Sequence, residues 1–311
     1  MEDIRIGESD MVVTRMGVGT MAWSKSSRWG YGARLGRQDV QAAFDICVSR
    51  GNILFDTAEI YGFGKSENIL GRLLRDATGS VYTATKYAPL PWRISGRAVP
   101  RAIRGSIRRL NQNPVDLYQT HFPGGWLNIP TLMNRLADAV DEGSVRYIGV
   151  SNYDAKQMRS AYEALAKRGL PLVSNQIEYS LIHREEDVLN ACRELGVTCI
   201  AYSPLGRGIL SGKYSPGHGA KDMRRFYGQF KDKRLGEISP LITALREIGE
   251  ARDRKPASQV ALNWLARQPN VLPIPGAKNE RQAEDNMDAI TWNMSDDEAE
   301  KLNQISWSVL R

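Results

Sequence analysis

The sequence predicts a (β/α)8 TIM barrel, a single α/β domain over residues 1–311 with a long loop after the seventh strand and a C-terminal helix. Three observations lead there. Short apolar, strand-like segments alternate with amphipathic helical patterns over most of the chain, the order expected of a parallel sheet covered by helices. Eight such strands can be counted, enough to close the sheet on itself. Four polar residues, Asp56, Tyr61, Lys86 and His121, fall near the ends of consecutive strand-like segments, and in a closed barrel all strand ends share one rim. A doubly wound open sheet is the alternative arrangement of the same units.

The strands are expected to start near Val13, Ile53, Val81, Val115, Val145, Val173, Thr198 and Val271. Most start-to-start intervals are about 25–40 residues, the length of one strand plus one helix. In the first helical pattern Val40, Ala43, Phe44, Cys47 and Val48 recur at i, i+3, i+4, i+7 and i+8, and Gly51 is a natural stop. In the fifth unit Met158, Ala161, Tyr162, Leu165 and Ala166 repeat that pattern, and Asp154 with Gln157 reads as a capping box. The last interval is longer. It holds a stretch rich in Gly, Arg and Lys, 206–236, which reads as a functional loop and not a linker. Two helices at about 238–253 and 257–267 precede the eighth strand, and a further helix at about 296–306 follows it. No low-complexity segment or composition break divides the chain.

Composition narrows the class. The chain is 42% hydrophobic and 25% charged, as in an ordinary globular protein. It has no apolar run long enough to span a bilayer, and the acidic, polar start MEDIRIGESDMVV does not read as a signal peptide. Cys47, Cys192 and Cys199 form no CxxC pair and occupy apolar positions, so buried free thiols and a reducing, cytoplasmic setting are expected. The net charge is +7. The basic residues are nonetheless spread over helix faces. In RAIRGSIRRL (101–110), Ile103, Ile107 and Leu110 form the apolar stripe and the arginines the outer face. No nucleic-acid or membrane partner is therefore expected, and the excess charge would suit a phosphate-rich cofactor.

Asp56 ends the run ILF, Lys86 follows VYTAT, and His121 follows VDLYQT. Taken singly each has an ordinary reading: a cap, a surface charge, a loop histidine, and for Tyr61 packing in a Gly-rich turn. Together, a phenol, an ammonium, a carboxylate and an imidazole at one rim can transfer a proton, and they point to chemistry at a carbonyl. Two phosphate motifs fail. GRGILSGK (206–213) has Arg207 where the Walker pattern needs Gly and Tyr214 where it needs Ser or Thr. Neither GVGTMA (17–22) nor GFGKSE (62–67) completes GxGxxG. His121, His183 and His218 lie far apart, and no metal site is expected.

The segments GVGTMAW, FDTAEIYG, TATKY, YQTHFP, YIGVSNY, SNQIEYSL, AYSPLGRGILSGK and PIPGAKNERQAEDN resemble, in order, the signature segments of the aldo-keto reductases, from about residue 12 to 290. The resemblance implies a (β/α)8 barrel that binds NADPH along its rim without a Rossmann domain and reduces a small-molecule aldehyde or ketone. It implies Tyr61 as proton donor, assisted by Lys86, Asp56 and His121. Ser151, Asn152 and Gln176 match residues that bind the nicotinamide carboxamide, and Tyr202 matches the aromatic that stacks on the ring. Ser203, Pro204, Leu205, Gly206, Arg207 and Lys213 would meet the pyrophosphate, and Gly19, Thr20, Met21 and Asp56 are further cofactor-binding matches. Gly276, Lys278, Gln282, Asp285 and Asn286 match the adenosine end. The charge of Lys278 beside a helix start, with Arg281 as a second cation, implies NADPH over NADH.

The sequence departs from the family at the substrate pocket. Met21 stands where many members carry Trp, and Trp23 follows it. Trp23, Trp92 and Trp126, with Trp29, are the residues expected to line the pocket. A second reading is a cofactor-binding regulatory subunit resembling the potassium-channel β-subunits. His121 separates the two, because the enzymes carry His at this position and the channel subunits typically Asn. The oligomeric state is left open.

Overall fold

The computed structural model describes residues 1–24, 36–93, 95, 97–125 and 127–310. The chain enters through an antiparallel hairpin of β1 (Ile4–Arg5) and β2 (Val12–Val13). Eight parallel strands follow: β3 (Val18–Gly19), β4 (Ile53–Asp56), β5 (Val81–Tyr87), β6 (Val115–Thr120), β7 (Val145–Ser151), β8 (Leu172–Glu178), β9 (Thr198–Tyr202) and β10 (Val271–Pro273). Each pairs with its sequence neighbour, so strand order equals chain order. The ring closes where the Gly17 N–H donates to the Pro273 carbonyl at 2.9 Å and the Gly19 N–H to the Pro275 carbonyl at 3.1 Å. Gly19 also bridges Gly276 in parallel.

The helices α1 (Arg37–Val48), α2 (Lys65–Leu74), α3 (Ala98–Leu110), α4 (Ile129–Asp141), α5 (Ala155–Ala166) and α6 (Glu186–Glu194) cover the outside. The seventh unit carries two, α7 (Asp232–Ala251) and α8 (Ala257–Ala266), while α9 (Glu280–Asp288) and α10 (Asp296–Leu310) complete the chain. The expected capping box is present. Asp154 accepts from the Gln157 N–H at 2.8 Å, and Gln157 Oε1 from the Asp154 N–H at 3.1 Å. Such a cap contributes about 1 kcal/mol. All three cysteines are free and buried, and burial pushes the Cys47 and Cys192 thiols up to about 12. Among the described residues no helix is long and apolar enough to cross a membrane.

Three expectations need correction. Val13 does not start the barrel; it belongs to the hairpin, and the first barrel strand begins at Val18. Ile4, Ile6, Met11 and Val13 pack against Leu54, Ala84, Leu117, Val173, Ile200 and Leu272, so the hairpin plugs the lower mouth of the barrel. Gly17 and Gly19 hide the real strand from a propensity reading. A Cβ on Gly17 would lie 2.9 Å from the Leu54 carbonyl oxygen and from Ile274 Cγ2. Second, α7 begins at Asp232, before the expected 238, because Pro240 sits inside the helix and does not open it. Third, Arg109 leaves the outer face of α3. Its Nε donates at 2.6 Å to the fully buried carboxylate of Glu67, which also accepts from the Thr85 hydroxyl at 2.7 Å.

Inside the barrel the side chains form layers. The lower one, on the plug, is apolar. Two residues further along each strand the same inward direction turns polar, from Leu54 to Asp56, Ala84 to Lys86 and Leu117 to Gln119, all of them buried. The strand period of two thus stacks a polar floor on the core.

Candidate active site

The polar floor is centred on Asp56. Its Oδ2 accepts from Lys86 Nζ at 2.6 Å. Its Oδ1 accepts from Gln176 Nε2 at 2.7 Å and from Gln119 Nε2 at 3.3 Å. Lys86 Nζ also donates to the Thr57 carbonyl at 2.8 Å and lies 3.5 Å from the Tyr61 hydroxyl. Asp56 and Lys86 sit on adjacent strands, β4 and β5, whereas Tyr61 reaches back from the loop after β4. Thr20 secures that strand end. It is fully buried, and both its N–H and its hydroxyl donate to the Asp56 carbonyl, at 2.8 and 2.9 Å.

The electrostatics follow from burial and neighbours. Burial raises the Tyr61 phenol above the ordinary tyrosine value, and Lys86 only partly offsets that. Burial opposes the charge on Lys86, but Asp56, with help from Tyr61, holds its ammonium above the ordinary lysine range. Burial and then the charge of Lys86 push His121 down to about 3. At neutral pH the site therefore holds a protonated phenol, a lysinium and a neutral imidazole. The His121 ring stands edge-on to Tyr61, centroids 5.6 Å apart, and its Nδ1 is buried without a hydrogen-bond partner. The structure thus brings all four strand-end residues together.

Beside them, the Asn152 amide donates to the His121 carbonyl at 2.9 Å and to Ser151 Oγ at 3.0 Å, and its Oδ1 accepts from the Tyr202 hydroxyl at 2.9 Å. Asn152 has φ +60°, a left-handed backbone that Asn tolerates. Ser151 Oγ donates to the Gln176 carbonyl at 2.8 Å. These residues and Gln176 line one wall, although the Gln176 amide is turned to Asp56.

The connection after β9 passes Ser203, Pro204 and Leu205 into a 3-10 turn over Gly206–Ser211. Gly206 takes φ +54°, and a Cβ there would lie 2.4 Å from Ile182 Cδ1. Arg207 points its guanidinium to Glu178 at 3.0 Å and stacks 4.9 Å from the Tyr227 ring, leaving its backbone at the rim. Lys213, Arg224 and Lys278 converge further out. Burial and then Arg224 lower the pKa of Lys213; burial, then Lys213 and Arg224, lower that of Lys278. Asp222, which forms an ion pair with Arg224, is the carboxylate among them. Mutually repelling cations with this donor set fit the phosphates of a dinucleotide. Gln282 Oε1 accepts from the Lys278 N–H at 3.1 Å, and Asn286 Nδ2 donates to the Gly276 carbonyl at 3.3 Å, so both shape the loop after β10. Lys278 precedes α9 by two residues, with Asn279 as its N-cap. Arg281 and Asp285 form only a loose pair at 3.9 Å, with Arg281 almost fully exposed.

The expected pocket tryptophans divide. Trp23 belongs to the core and not to a pocket wall: it is 2% exposed, packs against Phe55, and donates from Nε1 to the Ala277 carbonyl at 2.7 Å. Its indole reads as a pocket residue only because Met21, exposed at the rim, stands two residues before it. Trp92 is exposed. Trp29 and Trp126 lie outside the described residues. Sequence reasoning missed Gln119 and Arg224. Gln119 carried a signal, as a polar residue at an inward position of an apolar strand; Arg224 carried none within its loop.

The family model for the aldo/keto reductase family matches residues 15–306. The chain is 36% identical over 306 residues to the chloroplastic pyridoxal reductase of Arabidopsis thaliana, covering 93% of this chain and 82% of the relative. It is 40% identical over 289 residues to an uncharacterized oxidoreductase of Mycobacterium tuberculosis, covering 91% and 86%. Among solved structures, a glycerol dehydrogenase from Gluconobacter oxydans superposes with a TM-score of 0.86 at 26% identity, covering 100% of this chain and 97% of the other. An aldo-keto reductase from Klebsiella pneumoniae in complex with NADPH gives 0.76 at 26% identity, covering 97% and 94%. With its closed barrel, its polar floor and this extent of matching sequence, the chain belongs to the aldo/keto reductase family.

Proposed function

We propose that this protein reduces an aldehyde or ketone to the alcohol with NADPH, using Tyr61 as the acid. The observation that carries the reading is Lys86 Nζ, held 2.6 Å from Asp56 and 3.5 Å from the Tyr61 hydroxyl in a buried floor. When bound, the nicotinamide supplies a hydride to the carbonyl carbon. Tyr61 keeps its proton until the carbonyl oxygen becomes basic, then gives it up. Lys86 stabilises the phenolate left behind, and Asp56 keeps Lys86 charged and aimed. His121 is neutral and orients the carbonyl oxygen by hydrogen bonding. Ser151, Asn152 and Gln176 would hold the carboxamide, and Tyr202 the ring face. Lys213, Arg224 and Lys278 would hold phosphate, which favours NADPH over NADH.

The rim above Tyr61 exposes Met21, Ile60, Phe63 and Trp92, and an apolar rim suits a substrate with an apolar or aromatic body. The Arabidopsis relative is named for pyridoxal reduction, so pyridoxal heads the substrate panel. The test is loss of NADPH absorbance with pyridoxal, aromatic and aliphatic aldehydes, ketones and sugars. Turnover with at least one carbonyl is expected. No turnover with any of them, despite tight NADPH binding, would overturn the reading in favour of a cofactor-binding regulatory role.

A further inference from the structure

The loop that carries Tyr61 is tied to the strand that carries Lys86 by a second, separate ion pair. Glu59 lies two residues before Tyr61, with its side chain 7% exposed. Its Oε1 accepts from the Ala88 N–H at 2.8 Å, two residues past Lys86. Arg93 grips both carboxylate oxygens in a fork, with Nη2 at 3.0 Å from Oε2. The same guanidinium donates to the Ala88 carbonyl at 3.1 Å and lies 5.1 Å from the Tyr87 ring centroid. The Tyr87 carbonyl in turn accepts from the His121 N–H at 2.8 Å. The segments of Tyr61 and Lys86 therefore meet at this pair, and that of His121 bonds the Tyr87 carbonyl beside it.

We infer that Glu59 and Arg93 are positioning residues for the proton transfer, setting the distance between the Tyr61 hydroxyl and Lys86 through the Ala88 backbone; the inference rests on the reductase reading above. The burial of the Glu59 carboxylate calls for such a role. A surface pair contributes little, and a buried carboxylate is costly unless fully paired. Here one carboxylate receives three donors, all on the segment beyond Lys86. Among the described residues the surroundings add no competing charge. The phenols of Tyr87 and Tyr118 are both raised by burial and stay neutral, so Arg93 has Glu59 as its counter-ion. The charged groups facing Tyr61 itself are Lys86 and Asp56, with the neutral His121 ring at its edge. Loosening the clamp frees Tyr61 without touching any of them.

The test compares Arg93→Ala, Arg93→Lys and Glu59→Gln with the wild-type protein. Misplacement of a reacting group by about 1 Å can cost on the order of a hundredfold in rate. Arg93→Ala and Glu59→Gln are expected to lose about ten- to a hundredfold in kcat at a temperature where they stay folded, with NADPH affinity by fluorescence unchanged. Arg93→Lys should recover part of kcat, because it keeps the charge but not the fork. A second readout is independent of turnover: the ionisation of Tyr61, measured as tyrosinate absorbance after a pH jump and taken as the difference from the Tyr61→Phe counterpart. Burial raises this phenol in the native site, so release should move its titration down toward the ordinary tyrosine value. Unchanged kcat in all three variants, or a Tyr61 titration identical to that of the wild type, would overturn the inference. If the wild-type protein reduces no carbonyl, the reductase reading fails, and the titration still decides whether the clamp holds Tyr61.

Discussion

Lys86 is fully buried, and yet its ammonium is held above the ordinary lysine range. Such a charge is tolerated only because Asp56, the Thr57 carbonyl and Tyr61 satisfy its three N–H groups, at 2.6, 2.8 and 3.5 Å. In the proposed mechanism the residue this arrangement serves is Tyr61. Tyr61→Phe keeps the ring and removes the proton, so it should lose at least about a hundredfold in kcat, in the range of general-acid contributions, while still binding NADPH. Fluorescence titration beside the turnover assay checks both halves; loss of cofactor binding in that variant would count against the acid role. At this scale the sequence was legible where a polar residue ends an apolar run. Asp56, Lys86 and His121 announce themselves in that way, and Tyr61 by the segment it sits in. Glu59 did not, because a carboxylate in a loop reads as a surface charge until its meeting with Arg93, far along the chain, is seen. Nor did Trp23, whose position in the core depends on the Ala277 carbonyl contributed by the opposite end of the chain.

Among the elements, the alternation of strand and helix could be read almost throughout, because each strand is an apolar run and each helix an amphipathic repeat. The exceptions have local causes. Gly17 and Gly19, before and within β3, dilute its pattern, and the short hairpin strands Ile4–Arg5 and Val12–Val13 are too brief to separate from the barrel strand that follows. The connection between β9 and α7 was legible as functional but not in shape. It folds through 3-10 turns at Gly206–Ser211, Met223–Phe226 and Gly228–Phe230, and these bring Arg224 toward Lys213 and Lys278. Burial and neighbouring positive charge lower both Lys213 and Lys278, so a dianion placed beside these cations relieves that repulsion. Lys278→Ala should therefore weaken NADPH much more than NADH, by about tenfold or more for loss of one charge-assisted contact. Equal weakening of both cofactors in a binding titration would remove Lys278 from the 2′-phosphate.

Over the whole molecule, the barrel separates stability from chemistry by height. The hairpin closes the lower mouth with Met11, fully buried, while the polar floor lies at the upper one. Met11→Ala should lower unfolding free energy in urea by about 2–5 kcal/mol, as for other buried large-to-small changes, and leave kcat unchanged in the folded protein. A fall in kcat of the folded variant would show that the plug reaches the floor. The ring itself is not equally strong all round. Where β3 meets β10, strands of two and three residues close it through a few backbone bonds from Gly17 and Gly19. Elsewhere strands of up to seven residues pair along most of their length. That seam is the joint at which the barrel should breathe, and the amides of Gly17 and Gly19 should exchange with solvent deuterium sooner than those of Gln119 and Gln176. Gly19 and Gly276 face each other across the joint at the rim where NADPH is proposed to lie. A dinucleotide laid over it would act as a hoop around a stave-built cask, and bound NADPH should slow exchange at the seam more than anywhere else in the sheet.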